Sequence, residues 1–151
     1  MAHNLGFDVE LPLAFNDAVD RVKDALKREG FGILTEIDLR AAFHEKLGRE
    51  FRPYVILGAC NPPLAFSAIN ADPAVGLLLP CNVTVESVGE QRTIVRLTNP
   101  EALLATAVGT SPALAGVCAR RQRTDGACHG HAETDEWCFP RVGPPEIWTL
   151  M

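Results

Sequence analysis

The sequence predicts an α+β domain in two layers, a mostly antiparallel sheet with helices on one face. Three observations predict it. Stretches with the two-residue period of strands mingle with stretches of helical period from residue 7 to residue 108. Late in the chain, two β-prone runs, residues 83–88 and 93–97, flank Gly89-Glu90 closely enough to be a hairpin. The chain has 151 residues, 47% of them hydrophobic, which is enough to bury one core and excludes a disordered polymer.

The elements follow in order. Phe7-Asp8-Val9-Glu10-Leu11 alternates apolar and acidic residues, as a half-buried strand does, and Pro12 ends it or marks it as an edge. Asn16 is the expected N-cap of a helix over 16–29. Ala18, Val19, Val22, Ala25 and Leu26 share one face of it. Asp17 and Asp20 lie toward its start, and Lys27 and Arg28 toward its end, which complements the helix dipole. Gly30 is the expected stop. Residues 31–37 read as a buried strand. Asp38 then caps a short helix with Leu39, Ala42, Phe43 and Leu47 inward, closed by Gly48. Residues 54–59 form the next strand.

Asn61-Pro62 is a cap followed by proline at the first helical position. The helix it opens carries Leu64, Ala65, Ala68 and Ile69 and stops at Asp72-Pro73. Residues 76–88 read as a long β-prone segment that Pro80 divides or bulges. Asn99-Pro100 repeats the cap-plus-proline signal before a helix over 101–108. The domain is expected to span residues 1–109. Residues 110–151 change character, rich in Gly, Pro, Arg, Cys and His, and read as an extension.

Composition narrows the partners. The net charge of −5 argues against a nucleic-acid groove or an anionic membrane as the main partner. No apolar run approaches the roughly 20 residues of a membrane span. Met1-Ala2-His3-Asn4 lacks the basic start of a signal peptide, so a cytoplasmic protein is expected. Five cysteines in a reducing compartment are buried, metal-bound or reactive more often than paired.

Chemistry concentrates in two Cys-Asn pairs, Cys60-Asn61 and Cys81-Asn82, each after an apolar run. Cys60 precedes a helix start, where unpaired amides and the dipole can stabilise a thiolate. A right-handed strand–helix–strand crossover over 54–81 would make the two runs parallel and open both thiols at one sheet edge. Cys60 and Cys81 are thus candidate catalytic residues of a redox, sulfur-transfer or soft-metal site. The alternative is two small buried hydrophobes, with the asparagines as cap and turn residues. Asn61, Asn82 and Arg52 are candidate binding residues, Arg52 as an anion ligand or as an ion-pair partner of Glu50. In the extension, Cys128, His129, His131 and Cys138 carry zinc-compatible atoms, although their spacing matches no finger pattern. No phosphate loop, dinucleotide fingerprint or serine nucleophile elbow is present, and no motif specifies a cofactor.

Three ordered blocks have a familiar look. They are Gly30-Phe31-Gly32-Ile33-Leu34-Thr35-Glu36-Ile37-Asp38, Phe51-Arg52-Pro53-Tyr54-Val55-Ile56-Leu57-Gly58-Ala59-Cys60-Asn61-Pro62, and Gly76-Leu77-Leu78-Leu79-Pro80-Cys81-Asn82-Val83. Together they resemble the domain-of-unknown-function family 302 over roughly residues 7–105. The resemblance implies a TATA-binding-protein-like α+β fold, a homodimer, and small bacterial or archaeal cytoplasmic relatives. It implies no activity. Two classes of function stay open: a dimeric binding or regulatory domain for a small ligand or partner, and a thiol protein of sulfur, redox or soft-metal handling. A metal-clipped extension is a third possibility.

Overall fold

The computed structural model describes residues 2–3 and 6–98. The expected helix over 101–108, the boundary near Gly109 and the extension 110–151 lie outside the described residues. Six strands form one sheet: β1 (Ala2–His3), β2 (Gly6–Leu11), β3 (Gly32–Asp38), β4 (Tyr54–Cys60), β5 (Cys81–Gly89) and β6 (Arg92–Thr98). Their order is β1-β2-β6-β5-β4-β3, and every neighbouring pair is antiparallel. Three α-helices, α1 (Phe15–Arg28), α2 (Leu39–Leu47) and α3 (Pro62–Ala71), and one 3-10 helix (Pro73–Leu78) connect them.

The core lies between α1 and one face of the sheet. Ala18, Val19, Val22 and Leu26 supply the helix side. Val9, Leu11, Val55, Leu57, Ala59, Val83, Val85, Val95 and Leu97 supply the sheet side. All nine strand residues have odd numbers, because the pairing register keeps alternate residues on one face. Even-numbered positions of these strands therefore lie on the opposite face.

Helix α1 forms where expected, with one correction. It starts at Phe15 after Ala14, with no side-chain cap, so Asn16 falls inside its first turn. Apolar packing fixes this entry: Leu13 and Phe15 dock against the core, and the Thr93 hydroxyl donates to the Leu13 carbonyl at 2.9 Å. Its exit follows expectation. Gly30 takes φ +79, and Phe31 N–H closes the end on the Leu26 carbonyl at 2.9 Å.

Helix α2 is capped as expected, with the Asp38 carboxylate accepting from Ala41 N–H at 3.0 Å. Its expected inward face is only partly realised: Leu39, Ala42 and Phe43 are half-buried, none of its residues is fully buried, and Leu47 is exposed. The strand read as buried over 31–37 is also corrected. β3 is an edge strand, bulged between Ile33 and Thr35, and Leu34 is 63% exposed.

The largest correction concerns residues 73–80. The apolar run Gly76-Leu77-Leu78-Leu79 is not a strand, because residues 73–78 wind into the 3-10 helix. Pro73 sits at its first position, and the Asp72 side chain accepts from Ala74 N–H at 2.9 Å. Only then does the chain enter β5, beside β4 but antiparallel to it. The parallel crossover is thereby overturned. Pro80 lies just before β5 and packs over Gly58, where an added Cβ would meet its Cγ at 2.6 Å.

Leu26 is 2% exposed at the centre of the α1 contact. Leu26→Ala is expected to lower unfolding free energy by about 2–5 kcal/mol, read by urea denaturation. A loss below about 1 kcal/mol would contradict this packing.

Candidate functional site

The residues singled out in the sequence separate to the two ends of β4, which spans Tyr54–Cys60, a rise of about 20 Å. At one end, the register pairs Ala59 with Cys81 and Gly58 with Asn82. Cys60 and Cys81 are therefore neighbours on adjacent strands, brought together by antiparallel pairing. Strand alternation sets Cys60 in phase with Gly58 and Ile56, and Cys81 in phase with Val83 and Val85. Their side chains leave opposite faces of the sheet. Both thiols are free, Cys60 buried and Cys81 half-buried. Burial pushes both above the ordinary thiol range, and a charge on Cys60 would raise Cys81 further. At neutral pH both are neutral thiols.

The two asparagines have structural partners. The Asn61 side chain caps α3, accepting from Leu64 N–H at 3.4 Å. At Asn82 it is the main-chain carbonyl that accepts, from the Thr98 hydroxyl at 2.6 Å, which ties the end of β6 to the start of β5, and the side chain is exposed.

At the other end of β4, Arg52 lies beside Tyr54. Its expected partner Glu50 instead stands 3.5 Å from His44 Nε2. Arg52 Nε donates to Glu86 Oε1, and its guanidinium lies 4.7 Å over the Phe51 ring. Arg96, on β6, donates to the other oxygen of the same Glu86 carboxylate. Arg96 Nε also stands 3.5 Å from Asp8. Phe51 in turn packs edge-on against Phe43 at 5.1 Å and tilted against Tyr54 at 6.2 Å. Asp8, Tyr54, Glu86 and Arg96 are all even-numbered strand positions, so the cluster belongs to the face opposite α1.

Glu86 is only 5% exposed. Its burial alone would push the carboxyl up. Hydrogen bonds and charge from Arg96 and Arg52 outweigh that and hold it below the ordinary carboxylate range. Thr84 lies on this face too, paired across the strands with Ile56 and Arg96. Its hydroxyl is buried without a hydrogen-bond partner.

Sequence reasoning found Arg52 but missed Glu86, Arg96 and Asp8. The available signal was phase: each is a charge in a strand whose alternate residues are apolar. Among the described residues, no three His, Cys, Asp or Glu side chains gather to hold a metal. Cys128, His129, His131 and Cys138 lie outside the described residues. No helix among them is long and apolar enough to cross a membrane.

Comparison with known proteins places this geometry in context. The family model for the domain of unknown function DUF302 matches residues 7–127. The fold is similar to the crystal structure of an uncharacterized conserved DUF302 protein from Bacillus stearothermophilus. The two are 29% identical with a TM-score of 0.64, over 78% of this chain and 90% of that one. No curated protein matches.

Glutamine at position 86 keeps one acceptor oxygen but sets an NH2 donor and no charge against two guanidiniums. Glu86→Gln is expected to cost about 1–3 kcal/mol, less than a fully buried pair, because Arg52 is 53% exposed and water screens it. Since the folded pKa lies below the unfolded value, the ionised carboxylate stabilises fully above about pH 4.3. That contribution is lost as pH falls through the folded pKa. Urea denaturation of both proteins across this acid range checks it, and their stability difference should shrink as pH drops.

Proposed function

The chain belongs to the DUF302 family, a domain of unknown function, and on that premise we propose that it is a cytoplasmic, homodimeric binding or regulatory domain rather than an enzyme. Its ligand-facing surface is the sheet face opposite α1. The observation that carries this reading is Glu86, a buried carboxylate that fixes two arginines from separate segments. Around them stand Tyr54, Ile56 and Ile94, all half-buried. A few fixed polar groups in apolar surroundings is the make-up of a small-molecule site. The thiols favour binding over catalysis, since burial keeps both neutral and neither is an activated nucleophile. Amide spectra of the full chain with a set of small uncharged apolar fragments test the surface. Shifts should gather on Tyr54, Ile56, Glu86, Ile94 and Arg96. Shifts confined to the α1 face would contradict the reading.

A second copy of the chain joins through β3. Support comes from its place at the sheet edge and from the exposure of Leu34 and Ile37. In α3 and the 3-10 helix, Phe66 is 73% and Leu77 89% exposed. Sedimentation should give twice the chain mass, and Leu34→Lys combined with Ile37→Lys should return the monomer. A wild-type monomer contradicts dimerisation.

The sulfur, redox or soft-metal reading draws on one observation, the adjacency of Cys60 and Cys81 across β4 and β5. Single Cys60→Ser and Cys81→Ser variants, each made in a chain whose Cys118, Cys128 and Cys138 are replaced by Ser, are expected to leave one slowly alkylated thiol each at pH 7. Fast alkylation of either remaining thiol would favour that reading over the binding domain.

A further inference from the structure

We propose that Arg52 is the head-group ligand of the binding surface, and that it takes a small oxyanion, a carboxylate or phosphate, carried on an aromatic or similarly flat apolar body. The inference rests on the reading of the face opposite α1 as ligand-facing, and it names the ligand class. A guanidinium has five N–H donors, one on Nε and four on the terminal amino groups. Arg52 gives Glu86 its Nε. The fork of terminal amino groups, the edge that grips a carboxylate or phosphate with two parallel hydrogen bonds, is not engaged by Glu86. Arg52 is also held in place. Glu86 fixes it from one side, the Phe51 ring lies beneath its guanidinium at 4.7 Å, and the side chain as a whole is 53% exposed.

Restraint of this kind lowers the ordering cost of a side chain that is otherwise floppy. Arg96 converges on the same carboxylate and adds a second positive group close by. Although Glu86 and Asp8 balance the total charge, they occupy only part of the ten guanidinium donors. Directional hydrogen bonding, not net charge, is therefore what the cluster offers an oxyanion.

The apolar part of the ligand follows from the neighbours. Phe43, Phe51 and Tyr54 form a run of aromatic rings beside the fork, each half-buried, so each still shows part of its surface. An aromatic body can lie against these rings while its oxyanion reaches Arg52. Ile56 and Ile94 continue the apolar surface along the sheet.

Three probes on the full chain test the proposal by amide and arginine Nε–H spectra: benzoate, benzamide and inorganic phosphate. Benzoate should shift Arg52 Nε–H together with Phe51 and Tyr54, and benzamide should bind at least about tenfold more weakly. Arg52→Lys keeps the charge and loses the fork; Arg52→Gln loses both. Each should weaken benzoate by about tenfold or more, and the exposure of Arg52 leaves the fold with Arg96 on Glu86. Phosphate binding at Arg52 in place of benzoate keeps the oxyanion and assigns it to a phosphate source. The proposal is overturned if neither anion shifts Arg52, or if both variants bind benzoate as the wild type does. Benzamide binding as tightly as benzoate on the same residues also overturns it, while leaving the ligand surface itself intact.

Discussion

One-sided burial is the constraint from which the rest of this structure follows. An antiparallel sheet has two faces, and a single long amphipathic helix, α1, packs its apolar stripe against one of them. Odd-numbered Val, Leu and Ala residues meet Val19, Val22 and Leu26 there. The register that buries them also commits every even-numbered residue to the other face, because a strand cannot turn one side chain without turning all. The charged residues at those even positions must therefore find their partners on that face. Glu86 is the extreme case, and Arg52 and Arg96 are the solution.

The same constraint separates the two candidate chemistries. Cys60 and Cys81 are adjacent in the sheet, yet their phases differ, so one thiol shares the side of α1 and the other the side of Glu86. Antiparallel pairing supplies closeness without a common opening. Arg52, Glu86 and Arg96 come from a loop and two strands but converge, because all approach the same face. Convergence of fixed polar groups, rather than the presence of reactive atoms, is what distinguishes the stronger site. The aromatic rings of Phe43, Phe51 and Tyr54 complete it from a direction that α2 and the Arg52 loop provide.

Much of the fold was legible wherever the signal was local. The α1 stripe, the Asp38 and Asn61 caps, Gly30 and the hairpin at Gly89 each depend on residues within a few positions of one another. The failures were matters of context. Leu77-Leu78-Leu79 carries strand-like hydrophobicity, but the Asp72 cap and Pro73 start a helical turn that hydrophobicity cannot reveal. β3 looked buried because Ile33, Leu34 and Ile37 are apolar, whereas its edge position follows from strand order. Arg52 was found and its partner mistaken. Glu50 is near in sequence, but Glu86 is near only once β4 and β5 pair. Phase marked Asp8 and Arg96 as charges on one strand face, but their contact was out of reach for the same reason, the two being 88 residues apart in the chain and joined by the pairing of β2 with β6.

A buried, ionised Glu86 organises the face opposite α1. Titration of the Glu86 side-chain carboxyl by carbon NMR tests it most directly. The midpoint is expected clearly below the ordinary glutamate value of about 4.3, moving upward in Arg96→Gln. A midpoint at or above that value would mean that burial outweighs the arginines, and would contradict that organisation.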